Sequence, residues 1–302
     1  MSSFLTLDDM TLSTGKRARL YRLLYGHGPG NGTALFLPID QGLEHGPVDF
    51  FPNPPSKDPA FQCELALRGG YTGLVFQIGL AEKYMHAYAG RVPLVLKLNG
   101  KTTIPSDDEA FSPQCATVED AVRLGADAVG YTLYVGSPAQ AEDFQQFADL
   151  RAEAEALGMP VIVWAYPRGS AIEEKGGRDS IYAVDYAART ACELGADVVK
   201  INLPKLDNLA ALPKPYNALA DDEAAAVRRV VESAGRTLVL FSGGSKLGDD
   251  DLMAKAHLCM GAGATGLIFG RNMWQRPMDE ALAITARIKT EVMSQYPREL
   301  RG

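Results

Sequence analysis

An α/β fold, a (β/α)8 TIM barrel with an N-terminal helical extension, is predicted by three observations on this sequence. Eight short apolar runs recur along it, helical stretches separate them, and one boundary pattern repeats at a regular interval. The runs are ALFLPID (34–40), GLVFQIG (73–79), PLVLKLN (93–99), DAVGYTLY (127–134), PVIVWAY (160–166), DVVKINL (197–203), TLVLFSG (237–243) and TGLIFG (265–270). Most are rich in Val, Leu and Ile and nearly continuous, as parallel strands are when helices cover them. The segments SPAQAEDFQQFADLRAEAEALG (137–158) and DSIYAVDYAARTACELG (179–195) read as helices that start at a capping Ser or Asp and end at Gly. RLGADAVGY (123–131), ELGADVVKI (193–201) and MGAGATGLIFG (260–270) share a helix end, an Ala-rich turn and a strand start. Their glycines, Gly125, Gly195 and Gly263, lie 70 and 68 residues apart, and each interval holds two strand–helix units. Eight such units fit the barrel. An open doubly wound sheet is the alternative, but the G-x-G-x-x-G that would favour it is absent after ALFLPID.

Residues 1–33 precede the first strand, and GKRARLYRLLYG (15–26) predicts an extra helix that closes the bottom of the barrel. Residues 34–302 are expected to form a single catalytic barrel domain. The 302 residues are 46% hydrophobic and 22% charged, an ordinary globular composition. A net charge of −7 argues against general binding to nucleic acid or to a membrane surface. Cys63, Cys115, Cys192 and Cys259 are far apart with no CxxC, so zinc-ligand spacing is absent and reduced cytoplasmic thiols are expected. MSSFLTLDDM lacks the basic-then-apolar order of a signal peptide. No apolar run approaches the roughly 20 residues of a membrane span.

Active sites of such barrels lie at the C-terminal ends of the strands. The first strand ends PIDQGLEHGPVDF (38–50), which places Asp40, His45 and Asp49 there; a capping Asp and a structural His are the plainer readings. Lys97 stands inside the third strand with Lys101 just beyond. The fifth ends VWAYPRG, where alternation points Trp164 and Tyr166 the same way and Arg168 follows Pro167. FSGGSK (241–246) and FGRN (269–272) end the last two strands. Gly243 and Gly244 let backbone N–H groups approach an anion, a helix start is expected after each strand, and Arg271 and Lys246 would add charge. Barrels frequently hold a phosphate at these two loops.

Lys200 sits in the middle of the apolar strand GADVVKINLPK. Burial disfavours a charged amine, and nearby cations lower its pKa further, leaving it partly neutral and nucleophilic. Lys97, Arg168 and Lys205 are the expected cations. A structural pairing of Lys200 with Asp40 is the alternative, and Lys97 is the rival nucleophile.

Together DQGLEHGP, LKLNGKT, VWAYPRG, DVVKINLP, FSGGSK and GLIFGRNMWQRP resemble the archaeal-type (DhnA-type) class I fructose-bisphosphate aldolases from about residue 34 to 278. The resemblance implies a metal-free, cofactor-free lyase of glycolysis and gluconeogenesis, cytoplasmic, acting on a sugar phosphate through a lysine Schiff base. It also implies a large homo-oligomer, often a decamer. Carried over by position, Lys200 is the Schiff-base lysine, Tyr166 the proton donor and Asp40 a further catalytic group. Gln41, His45, Asp49, Lys97, Trp164 and Arg168 contact substrate, and Ser242, Gly243, Gly244, Gly270 and Arg271 contact phosphate. Two departures stand out: Gln41 replaces the His that many members carry, and the segment 204–223 is long and proline-bearing, so that it is expected to reach over the site. Alternatives are related Schiff-base barrels with transaldolase-type or thiolase-type chemistry, a non-covalent phosphosugar isomerase or lyase, and a non-catalytic phosphosugar-binding barrel.

Overall fold

The computed structural model describes residues 4–220 and 222–301. Eight parallel strands close in sequence order into a barrel. They are β1 (Ala34–Pro38), β2 (Gly73–Gln77), β3 (Leu94–Lys97), β4 (Ala128–Val135), β5 (Val161–Pro167), β6 (Val198–Ile201), β7 (Leu238–Ser242) and β8 (Gly266–Ile268). β8 returns to pair with β1 through Ala34 and Gly266. A helix follows or covers nearly every strand, as the unbroken apolar runs require.

The two-residue period of a strand sorts the side chains into two separate clusters. Leu35, Leu37, Leu74, Phe76, Val161 and Val163 face outward under the helices. Phe36, Val75, Val95, Ile162, Val198 and Leu240 face into the barrel. The same parity carries Lys97, Trp164, Lys200 and Ser242 to the inner face, one step nearer the C-terminal mouth. Trp164 and Lys200 are register partners between β5 and β6. Gly130 makes room for Trp164 and Lys97: a Cβ there would stand 2.8 Å from the Trp164 ring and 2.9 Å from the Lys97 stem.

The opposite end is closed by the N-terminal segment. A helix over Thr14–Tyr21 passes into a π turn over Arg22–Gly26, so the expected single helix changes its winding half way. Leu7, Leu20, Leu23 and Leu24 join the inner cluster from below. Lys16, almost fully buried, ion-pairs with Asp197 at 2.9 Å, just before β6, and with Glu155 at 2.8 Å. Arg22 pairs with Asp127, just before β4.

Three local expectations change. The helix expected from Ser137 starts at Gln140. Ser137 instead donates its hydroxyl to the Ala110 carbonyl at 2.7 Å and anchors the loop after β3. The helix Ile181–Leu194 is capped by Ser180 and not by Asp179, the Ser180 Oγ accepting from the Ala183 N–H at 3.3 Å. Among the described residues of the segment after β6 (204–223), none lines the cavity at the barrel mouth. The Tyr216 hydroxyl of this segment donates to Asp185 on the Ile181–Leu194 helix at 2.7 Å, and Leu212 is buried against Gly176. Apolar side chains and a helix-borne carboxylate draw it outward along that helix. Among the described residues, no helix is long and apolar enough to cross a membrane.

Breaking a buried ion pair from one side leaves an uncompensated charge. Lys16→Ala is therefore expected to cost about 3–5 kcal/mol of stability in urea unfolding. A loss below about 1 kcal/mol, the range of an exposed pair, would place the pair in solvent.

Candidate active site

A cavity of about 560 Å³ opens at the C-terminal mouth. Its wall takes Asp40, Gln41, Glu44, His45 and Asp49 from the loop after β1, and Tyr166 and Arg168 from the end of β5. Lys200 and Asn202 come from β6 and its end, Ser242, Gly243 and Gly244 from β7, and Gly270 and Arg271 from β8. The sequence-predicted residues thus converge on one site, apart from two. Lys97 and Trp164 are fully buried and do not line the cavity.

Lys200 is only 4% exposed. Its amine stands 5.1 Å from the Trp164 ring centroid and 5.2 Å from that of Tyr166. No carboxylate of the described residues forms an ion pair with it, so the structural pairing with Asp40 is not made. Burial is the main cause that pushes its pKa down; Asp40 and Glu44 oppose this and Arg271 reinforces it. Arg271, rather than Lys97, Arg168 or Lys205, is the cation that acts. Lys205 turns outward and pairs with Asp179 at 3.5 Å.

Lys97 has the opposite setting. Its ammonium lies 3.6 Å from Asp40 and 3.5 Å from Glu44, and 5.2 Å from the same Trp164 ring. Asp40 precedes and Glu44 ends a single helical turn, Gln41–Glu44, so the spacing of four puts both carboxylates on one face. Neither Asp40 oxygen, nor Glu44 Oε1, makes a hydrogen bond.

Arg168 covers the ring of Tyr166 at 5.3 Å. Burial, with Glu44 and Asp40 adding to it, nevertheless pushes the phenol well above its ordinary pKa, against the opposing pull of Arg168 and Lys97. The group stands neutral and protonated.

On the β1 side, His45 Nδ1 lies 2.7 Å from Asp49, and Arg271 reaches Asp49 at 3.9 Å. Ser242 donates to Asn202 Oδ1 at 2.6 Å. Gly244 has φ +70°, a region that favours glycine. A Cβ on Gly270 would stand 2.6 Å from Gln41 Nε2 and 3.0 Å from the Pro38 carbonyl, so only glycine allows this approach of β8 to β1. Two expected charge sources are absent from the site. Lys246 donates to the Gln275 carbonyl at 3.1 Å and does not line the cavity. The helix after β7 starts only at Asp249 and opens with three aspartates, which suits its own dipole and not an anion.

Glu44, Asn202, Asp107 and Arg178 also line the cavity and escaped the sequence reading. Glu44 was accessible through its spacing of four from Asp40, and Asn202 through its spacing of two from Lys200. Asp107 and Arg178 lie in irregular segments whose position no periodicity encodes.

The profile of the DeoC/LacD family aldolases matches residues 34–276. The class 1 fructose-bisphosphate aldolase of Thermoproteus tenax is 41% identical over 246 residues, covering 81% of this chain and 84% of that protein. A solved archaeal fructose-1,6-bisphosphate aldolase, with its catalytic lysine covalently bound to the carbinolamine intermediate of its substrate, superposes with TM-score 0.77. It is 37% identical and covers 89% of this chain and 99% of its own. The fructose-bisphosphate aldolase from Slackia heliotrinireducens superposes with TM-score 0.83 at 27% identity, covering 98% of this chain and 93% of that one.

The contrast between the two buried lysines is directly measurable. Limited treatment with cyanate at pH 7, followed by peptide mass spectrometry, is expected to carbamylate Lys200 and spare Lys97. Modification of Lys97 ahead of Lys200 would reverse their assignments.

Proposed function

The chain belongs to the DeoC/LacD family of aldolases, and on that premise we propose that it is a class I, Schiff-base fructose-bisphosphate aldolase with Lys200 as nucleophile. It reversibly cleaves fructose 1,6-bisphosphate to dihydroxyacetone phosphate and glyceraldehyde 3-phosphate. The observation that carries this reading is a buried amine with no ion-paired carboxylate among the described residues, beside two aromatic rings on the cavity floor.

The neutral phenol of Tyr166 fits a proton shuttle that begins as an acid. The Lys200 amine adds to the C2 ketone, and proton transfer from nitrogen to oxygen, assisted by Asp40, gives a carbinolamine. Tyr166 protonates the C2 hydroxyl, which leaves as water, and the iminium forms beside the new phenolate. The iminium takes up the electron pair of the C3–C4 bond while the phenolate accepts the C4 hydroxyl proton. Glyceraldehyde 3-phosphate departs. Tyr166 then protonates C3 of the enamine and recovers its proton from the water that hydrolyses the second iminium. Dihydroxyacetone phosphate leaves and the Lys200 amine is free again.

The other residues position the substrate. The backbone N–H groups around Gly243, Gly244 and Gly270, with Ser242 and Arg271, hold the C1 phosphate, because β7 adjoins the strand of Lys200. Gln41, His45 and Asp49 take sugar hydroxyls, and Arg168 holds the Tyr166 ring. Lys97 and Trp164 act from beneath: the ammonium holds Asp40 and Glu44 in place by its ion pairs and the indole shapes the pocket of Lys200. We place the enzyme in the cytoplasm, in glycolysis and gluconeogenesis, as a homo-oligomer, for which the family resemblance suggests a decamer.

Borohydride reduction with fructose 1,6-bisphosphate is expected to leave a sugar-phosphate adduct on Lys200, and Lys200→Ala to abolish it. An adduct on Lys97 would keep the aldolase and move its nucleophile; persistence of the adduct in the variant would do the same. Tyr166→Phe is expected to retain trapping while cleavage slows by about 10²–10⁴-fold, the usual contribution of a general acid–base group. Unchanged turnover would remove Tyr166 from the shuttle.

A further inference from the structure

Resting on the aldolase reading above, we propose that Lys255, which stands outside the cavity, is a positioning residue for the loop after β7. Its amine holds the Gly243 carbonyl turned away from the cavity and so aims the Gly244 N–H at the substrate's C1 phosphate.

The helix after β7, Asp249–Gly261, brings no favourable dipole to that loop, but it carries Lys255. The Lys255 amine donates to the Gly243 carbonyl at 3.0 Å. Among the described residues it makes no other hydrogen bond and no ion pair. Burial lowers the pKa of this amine, with Cys259, Asp179 and Glu223 opposing. The contact needs only a donor, which the amine supplies in either protonation state.

The carbonyl and the N–H of one trans peptide point in opposite directions. With the Gly243 oxygen turned to Lys255, the Gly244 N–H of the same peptide points away from Lys255. Gly243 and Gly244 line the cavity and Lys255 does not. The side away from Lys255 is therefore the cavity side. Among the described residues the Gly244 N–H makes no hydrogen bond. A free backbone donor at a turn of this kind suits an anion.

The loop needs such a hold. Two successive glycines leave the peptide between them free to rotate, and Gly244 already stands at φ +70°. A rotated peptide would present its carbonyl oxygen to the phosphate, and like charges repel. A second side chain secures the next turn of the loop. Asn272, fully buried on the helical turn Arg271–Trp274, donates to the Ser245 carbonyl at 3.1 Å and accepts the Leu247 N–H at 2.7 Å. It also does not line the cavity. A Cβ on Gly243 would stand 2.6 Å from Asn272 Nδ2, so the loop lies directly on this side chain. The carbonyls of Gly243 and Ser245 are thus both held by side chains outside the cavity, and Lys255 alone governs the peptide between the two glycines.

The test measures borohydride trapping on Lys200 over a range of concentrations of dihydroxyacetone phosphate and of unphosphorylated dihydroxyacetone. Lys255→Met keeps an aliphatic stem and removes the donor. It is expected to raise the half-saturating concentration of dihydroxyacetone phosphate about tenfold, the scale of one hydrogen bond to a charged group. The value for dihydroxyacetone is expected to stay as it was. Lys255→Arg, which restores a donor, is expected to recover most of the loss. An equal rise for both sugars would make Lys255 a support of the fold alone and overturn its role toward phosphate. No recovery in Lys255→Arg would assign the loss to repacking and overturn it as well. An unmoved value for dihydroxyacetone phosphate in Lys255→Met, with the adduct still on Lys200, would overturn the inference and leave the aldolase reading standing. The lack of any Lys200 adduct in the unaltered protein would remove the aldolase reading and this inference with it.

Discussion

Two lysine side chains share the surroundings of one indole ring, and the site depends on how differently they are paired. Desolvation disfavours the charge on any buried amine unless a carboxylate compensates it. Lys97 has two compensating carboxylates, Asp40 and Glu44, at 3.6 and 3.5 Å. Among the described residues Lys200 has no ion-paired carboxylate, and Arg271 adds a positive charge that lowers its pKa further. Lys97 is thereby paired with carboxylates, while burial lowers the pKa of Lys200. The carboxylates near Lys200 also act on Tyr166, where together with burial they keep the phenol protonated. Charge and acid chemistry at the mouth thus follow from which lysine captures Asp40 and Glu44.

Barrel closure makes this division possible. A closed sheet has one interior, so the inner residues of all eight strands are forced into contact whatever their distance in sequence. The apolar inner residues fill the lower part of that space. The inner positions above them carry Lys97, Trp164, Lys200 and Ser242. Small residues set how closely these approach: Gly130 admits Trp164 and Lys97, and Gly270 lets Gln41 and the Pro38 carbonyl come close.

The two ends of the barrel have different work. Below, the N-terminal segment supplies leucines to the inner cluster and pairs Lys16 and Arg22 with the aspartates that precede β6 and β4. These contacts bear on stability and lie at the opposite end from Lys200. Above, charge is concentrated in loops with little regular structure.

The sequence by itself determined the strand order, the barrel and most of the residues at its mouth. Those depend on short-range regularities: unbroken apolar runs for covered strands, alternation for the inner face, glycines where a loop turns. Lys200, Tyr166, Asp40 and the residues of the β7 and β8 loops were legible because each stands at a strand end or a fixed count from one. Only the tertiary structure decided which charges meet. That Asp40 pairs with Lys97 and not Lys200, that Arg271 is the cation near Lys200, that Lys246 turns away, and that the loop after β6 lies along a helix are contacts between distant segments. So is the gathering of Lys101, Arg168 and Arg178 around Asp107. Pairing of this kind is settled by side-chain reach and local burial once the barrel has closed, and neither is encoded in the spacing of residues along the chain.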